Sequence, residues 1–247
     1  MPSIVSKELI HKPLKEEIYD ALHRHIIAGK YAPGDWLRQE EIASQMGVSM
    51  TPVREALDLL VAKRIAERVP YRGVRVREMS EKDVLEAYEM RLFLEAMIAK
   101  EAATNITPEQ LEDLTAIMAE MDRHVELNEM PEERQLSRKF HAAIAEASGN
   151  KLLVELYAIV SNAFPDWLLY EALYRKPELV SSSVAQTHDE HGAILDAFKQ
   201  HDPNLAVRVS IEHVMKSGKW LEDYRNIPGD LLREKEKQVF HLIKKSK

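Results

Sequence analysis

The side chains in this sequence best suited to chemistry are histidines. Of the ten present, His141, His191 and His213 each stand beside apolar residues at helical spacing: Phe140 and Ile144, Ile194 and Leu195, Ile211 and Val214. That pattern puts them on three separate helices, and metal sites in helical bundles are built from side chains of facing helices. Three neutral imidazoles hold Zn²⁺ or a similar divalent ion with one position left open, so a metal-dependent enzyme that activates water is one reading. No recognisable motif places a carboxylate base beside them. Imidazoles that are satisfied in a core or exposed to solvent are the plainer reading, and His188, three residues before His191 on the same helical face, is a rival ligand. The absence of cysteine excludes disulfides, thiolate metal sites and thiol nucleophiles.

A second group, Ser49, Met50, Thr51 and Arg54, has the spacing of side chains that read DNA. The element that positions them is the stretch LRQEEIASQMGVSMTPVREALDLL from Leu37 to Leu60. Glu40 and Glu41 suit a helix start, Ile42, Ala43 and Met46 give one apolar stripe, and Gly47 stops the helix. Ser49 or Thr51 can cap the next helix, Pro52 is tolerated in its first turn, and Val53, Ala56, Leu57 and Leu60 form its apolar face. Two short helices joined this way fit a helix-turn-helix, whose second helix enters the major groove N-terminus first. An ordinary helical hairpin shares the spacing. Residues 66–77, AERVPYRGVRVR, favour DNA: Val69, Val74 and Val76 alternate with basic residues around Pro70 and Gly73, as in a hairpin with a basic tip. Helix-turn-helix and basic hairpin together make a winged helix, and Arg38, Arg72 and Gly73 join its candidate DNA-contacting set.

Charge is divided in the same way. The net charge of −7 splits into 13 basic and 11 acidic residues over 1–78, with the excess of acid in the remainder, and residues 43–77 carry 7 basic against 3 acidic. Such a local excess is where phosphate contacts would be made. The start, MPSIVSKELIHKPLKEE, has no apolar signal core and no run approaches the roughly 20 apolar residues of a membrane span, so a cytoplasmic location and no membrane partner are expected.

In chain order, residues 1–12 read as a loose arm, and Leu14, Ile18, Leu22, Ile26 and Ile27 mark a first helix closed by Gly29. Residues 78–83, EMSEKD, form a boundary at which Ser80 and Asp83 resemble a capping box. Helical spacing then continues over 84–104, 107–127, 131–147, 151–162, 167–174, 181 to about 201, and 203 to about 224. The fold class is mainly α. A winged helix-turn-helix (1–78) is followed by an all-helical domain (79–227) and a charged tail (228–247) with one marginal helix.

The run from Ile18 to Val76 resembles the N-terminal domain of GntR-type bacterial transcription regulators. The residues that carry the likeness are the G-x-Y-x-P-G-D turn at Gly29 to Asp35, the GVSMTPVREAL segment, and the R-G tip at Arg72 and Gly73. Where that family usually has an arginine this chain has Met50, which offers a thymine methyl apolar contact and no hydrogen bond. Residues 80 to about 225 resemble the FCD domain of the FadR-type branch, through Arg91 and Glu95 in MRLFLE, FHAAIAEASGN from Phe140 to Asn150, HGAIL from His191, and His213.

The resemblance implies a regulator, of the repressor kind, that binds double-stranded operator DNA as a homodimer and responds to a small organic acid. In metal-binding members an aspartate four residues before the first histidine joins three histidines; His141, His191 and His213 match the histidines, and Ser137 stands at the aspartate position. Arg91, Ser137 and Asn150 are the implied effector contacts. Arg91 matches a family arginine that clamps a carboxylate, and its other reading is a helix-surface ion pair with Glu95. A DNA-binding dimer without an effector is the remaining alternative.

Overall fold

The computed structural model describes residues 12–27, 29–124, 126, 129–163 and 176–244. It divides into two compact units between Arg77 and Glu78. The first contains α1 (Leu14–Ile27), α2 (Gln39–Met46), α3 (Met50–Ala62), β1 (Ala66–Val69) and β2 (Gly73–Val76). Ile18, Leu22 and Ile26 of α1 pack with Ile42 of α2, with Val53, Ala56, Leu57 and Leu60 of α3, and with Val74 and Val76 of β2 in one core. Gly47 ends α2 in the left-handed conformation, φ 66°, which a glycine adopts without steric penalty. Ser49 occupies the cap position of α3 with extended backbone, yet its side chain makes no capping hydrogen bond. The expected cap is therefore positional only, and the serine hydroxyl stays exposed.

β1 and β2 pair antiparallel, Ala66 opposite Val76 and Val69 opposite Gly73. The chain before α2 adds a third edge: Leu37 N–H donates to the Val74 carbonyl at 2.9 Å, and Val76 N–H donates to the Asp35 carbonyl at 2.8 Å. This ties the start of the helix-turn-helix to the hairpin by backbone alone.

The second unit contains α4 (Glu81–Asn105), α5 (Pro108–Met121), α6 (Met130–Ala147), α7 (Lys151–Ala163), α8 (Val180–Lys199), α9 (Pro203–Arg225) and α10 (Gly229–Lys244), with a short 3₁₀ turn before α8. The starts of α4, α5 and α9 are capped by side chains, the first by the box read from the sequence at Ser80 and Asp83. Ser80 and Asp83 form a reciprocal capping box at α4, Thr107 and Gln110 do the same at α5, and Asp202 accepts from the N–H groups of Asn204 and Leu205 at α9. α4 lies at the centre, buried along most of its length, with Leu94, Ile98 and Ala102 packing among Phe140, Leu153 and Phe198. Among its described residues this unit has no strand.

The tail after Pro228 is a well-packed helix, not a marginal one. Leu232 and Val239, seven residues apart on one face, join Tyr88, Leu92 and Val214 in a core. The Tyr88 hydroxyl donates to Glu236 at 2.7 Å, and Lys235 pairs with Glu89 at 2.7 Å. Packing against α4 supplies what the charged composition of α10 alone lacks. The expected helix over 167–174 and all but the last residue of the arm expected over 1–12 lie outside the described residues.

Candidate functional site

In the winged unit, α3 divides cleanly into two faces. Val53, Ala56, Leu57 and Leu60 are fully buried, which leaves Met50, Thr51 and Arg54 on the outer side of the first turns with Ser49 just ahead. Arg38, Met50, Arg72 and Gly73 line one groove, with Trp36 and Val74, between the start of α2 and the hairpin. Four of the seven sequence-predicted DNA contacts are thus gathered in one place by three different elements. Arg38 stands 3.7 Å from Glu41, an exposed contact of little strength. Arg75 is held by Glu67 and Arg68 by Asp58, whereas among the described residues Arg54 and Arg72 are in no ion pair. Their guanidinium groups are available to phosphates or base edges. Sequence reasoning missed Tyr71: it is the most exposed large hydrophobic side chain among the described residues, at the hairpin tip with φ 61°. Its place in a Pro-Tyr-Arg-Gly turn was the available signal.

The helical unit brings His141 from α6, His191 from α8 and His213 from α9 together, so that ligand atoms from all three lie within 4.8 Å of one another. The ring centroids are 4.9 to 5.0 Å apart. His141 Nε2 and His191 Nε2 are 3.1 Å apart. Two nitrogens bound to one zinc at about 2.0–2.1 Å in a tetrahedral arrangement sit roughly 3.3 Å from each other, so this spacing fits an ion. His213 Nδ1 donates to Glu190 Oε2 at 2.7 Å, which turns its other nitrogen toward the cluster in the carboxylate–histidine arrangement common around metals. Glu190 is held in turn by Lys216 and Gln186, both at 2.9 Å. Burial opposes the charge on Glu190, but its hydrogen bonds and the positive neighbours outweigh it and lower its pKa.

His141 and His191 are kept neutral. Burial is the main cause for both His141 and His191; His213, Arg91 and Arg134 add to it at His141, and His141, His213 and Arg134 at His191. Both sit well below the ordinary histidine pKa, and neutral imidazole is the form that binds metal. Glu190 was missed from sequence because it is exposed by pattern, one residue from His191, and only the fold of α9 against α8 gives it a histidine to hold.

The other predicted residues divide. Ser137, one turn before His141, is buried. Arg91 is buried with Glu95, and its Nη2 donates to Glu95 Oε1 at 2.9 Å, so the ion pair exists in the interior and not on the helix surface. Asn150 serves as a helix cap: its side-chain oxygen accepts from Leu153 N–H at 3.3 Å. His188 is turned to Asp122 at 2.5 Å and does not join the metal-ligand group.

Residues 14–76 match the family profile described as bacterial regulatory proteins, gntR family, and residues 86–216 match the FCD domain. The probable D-xylose utilization operon transcriptional repressor of Paenarthrobacter nicotinovorans is 29% identical over 209 residues, covering 85% of this chain and 89% of its own length. The galactonate operon transcriptional repressor of Escherichia coli is 24% identical over 229 residues, covering 84% and 96%. Among solved structures, E. coli McbR/YncC superposes with a TM-score of 0.72 at 24% identity, covering 87% of this chain and all of that one. At that identity the likeness is one of fold.

Proposed function

Because the chain belongs to the GntR family of bacterial regulators, in the branch with an FCD domain, we propose that it is a repressor whose grip on operator DNA is set by a small organic acid bound in the helical unit beside a divalent ion. It is a DNA-binding transcription regulator and not an enzyme, as its relatives are. The observation that supports the finer reading is the meeting of three imidazoles from three helices, two of them held neutral by burial and the third aimed by Glu190. His141, His191 and His213 would hold the ion. When bound, it would supply a Lewis-acidic point that an effector carboxylate can reach, since three protein ligands leave zinc one position for an outside group. Ser137 offers only a hydroxyl where relatives of the metal-binding kind place a carboxylate, so an acidic effector would complete a ligand set that the protein leaves short of charge.

On the DNA side, Ser49, Met50, Thr51 and Arg54 face the major groove, and Arg38, Arg72 and Gly73 follow the backbone. Two recognition helices spaced by one turn of DNA require a homodimer. Metal content by mass spectrometry of the purified protein tests the metal directly. A gel-shift series with and without chelator, over a panel of organic acids, then tests the coupling. Protein that carries no metal, binds none on titration and still responds to an acid would remove the ion and leave the acid effector.

A further inference from the structure

Four described residues other than glycine have a positive φ, and three of them close helices, where a left-handed residue is customary: Arg64 after α3, His201 after α8 and Asn226 after α9. The fourth is Tyr71, φ 61°, at the hairpin tip. Arg72 N–H donates to the Val69 carbonyl at 3.1 Å, which makes Pro70 and Tyr71 the central pair of a turn. Proline followed by a positive φ is the type II pattern, and its second position favours glycine because a Cβ there crowds the backbone. Nothing in the fold compensates for the tyrosine. Its side chain is 109% exposed, with no hydrogen bond or ring contact among the described residues. A residue held in a strained conformation without a packing reason points to a role outside the fold.

The surroundings of the tip identify DNA as what the ring meets. Tyr71 adjoins Arg72 and Gly73, which line one groove with Arg38 and Met50, and Arg72 is in no ion pair among the described residues. With α3 in the major groove, the next hollow of the duplex lies across one phosphate backbone, in the minor groove. Arg72 suits that backbone, whereas an uncharged ring suits the sugar walls and base steps beyond it. The tip is also stiff, because Pro70 fixes its own φ and a hydrogen bond closes the turn. Resting on the DNA-binding role of the winged unit, we infer that Tyr71 enters the minor groove of the operator as a wedge and partly unstacks one base step. The chain would then select a deformable pyrimidine–purine step at a position that α3 does not touch.

The test is selection of sites from a random duplex pool by the full-length protein, as wild type, Tyr71→Gly and Tyr71→Phe. Wild type should enrich TA or CA/TG steps beside each half-site. Tyr71→Gly should lose that enrichment and keep the half-site, and Tyr71→Phe, which retains the ring, should behave as wild type. On the best wild-type site Tyr71→Gly should bind about tenfold more weakly, as loss of one base–aromatic stack does. Its melting temperature should be no lower than that of wild type, since glycine is at ease at this φ. 2-Aminopurine at the enriched step should brighten when wild type binds and stay quenched with Tyr71→Gly. Equal affinity and equal site choice by wild type and Tyr71→Gly overturn the proposal, as does a 2-aminopurine signal that wild type leaves quenched. A Tyr71→Phe variant as weak as Tyr71→Gly overturns it in favour of a hydroxyl contact, and a Tyr71→Gly variant that sediments as a smaller species overturns it in favour of a contact between proteins. If wild type enriches no sequence, the DNA-binding role falls and this proposal falls with it.

Discussion

Arg91 and Glu95 can be separated as structure and as site by a double-mutant cycle. Arg91 Nε and Nη2 donate to the same Glu95 oxygen at 3.1 and 2.9 Å, and the two side chains are only 11% and 6% exposed. Arg91→Met leaves the Glu95 carboxylate buried without that partner, which costs about 3–5 kcal/mol where a buried pair is broken from one side. For a chain of this size that lowers the melting temperature by about 10 °C. Glu95→Leu should cost less, because Arg91 has further interactions to fall back on. Arg91→Met/Glu95→Leu together should return to within about 1 kcal/mol of wild type, since an apolar pair of similar volume is often neutral in such a place. Urea unfolding followed by far-UV circular dichroism measures all three. An Arg91→Met cost below about 1 kcal/mol, or a double variant as unstable as its singles combined, would refute the buried couple and return Arg91 to the effector carboxylate.

Protonation gives a second prediction: in chelator-treated protein, unfolded histidines take up protons near pH 6.5 while His141 and His191, lowered by burial, do not. Stability should thus be full above about pH 7 and fall below about 6.5, by up to about 1.4 kcal/mol per histidine per pH unit, and a flat melting profile between pH 7 and 5 would contradict it. Arg54→Ala should weaken operator binding by about 1–3 kcal/mol in gel-shift titration with helicity unchanged. Glu190→Gln should lower divalent-metal affinity about 10–100-fold in competition with a chromophoric chelator, because His213 loses its orienting carboxylate. Ser137→Asp should raise it in the same assay by adding a charged ligand one turn before His141.

What the sequence disclosed about the fold was mostly local. Gly47, Ser80 with Asp83, Thr107 with Gln110, and Asp202 before Pro203 each mark a helix end through a conformation or hydrogen bond made within four residues, and such signals survive without knowledge of the rest. The histidine centre joins residues 50 and 22 positions apart; apolar neighbours at helical spacing drew out His141, His191 and His213, but spacing left His188 as a rival and resemblance to a family made the choice. Buried charge was the least legible. Glu133 and Glu190 look like solvent-facing residues by type, and Glu95 was a surface partner in one reading, yet tertiary packing encloses Glu133 and Glu95 and gives Glu190 a buried histidine to hold. Glu133, Ser137 and His141 at every fourth residue was the one pattern that would have exposed the polar inward stripe of α6.

The packing of α10 on α4 sets an order in time. A ribosome releases the helices in sequence, so α4 emerges before every other helix of its unit and α10 after all the described ones. Until then the face of α4 carrying Val84, Tyr88 and Leu92 lacks Leu232 and Val239 against it, and Tyr88 lacks Glu236. The winged unit draws its core from residues before Arg77 and can condense early. The nascent regulator therefore has a recognition helix in place well before its helical unit is closed, and nascent chains stalled ahead of Gly229 should hold a protease-resistant winged unit beside a helical unit that is still cut.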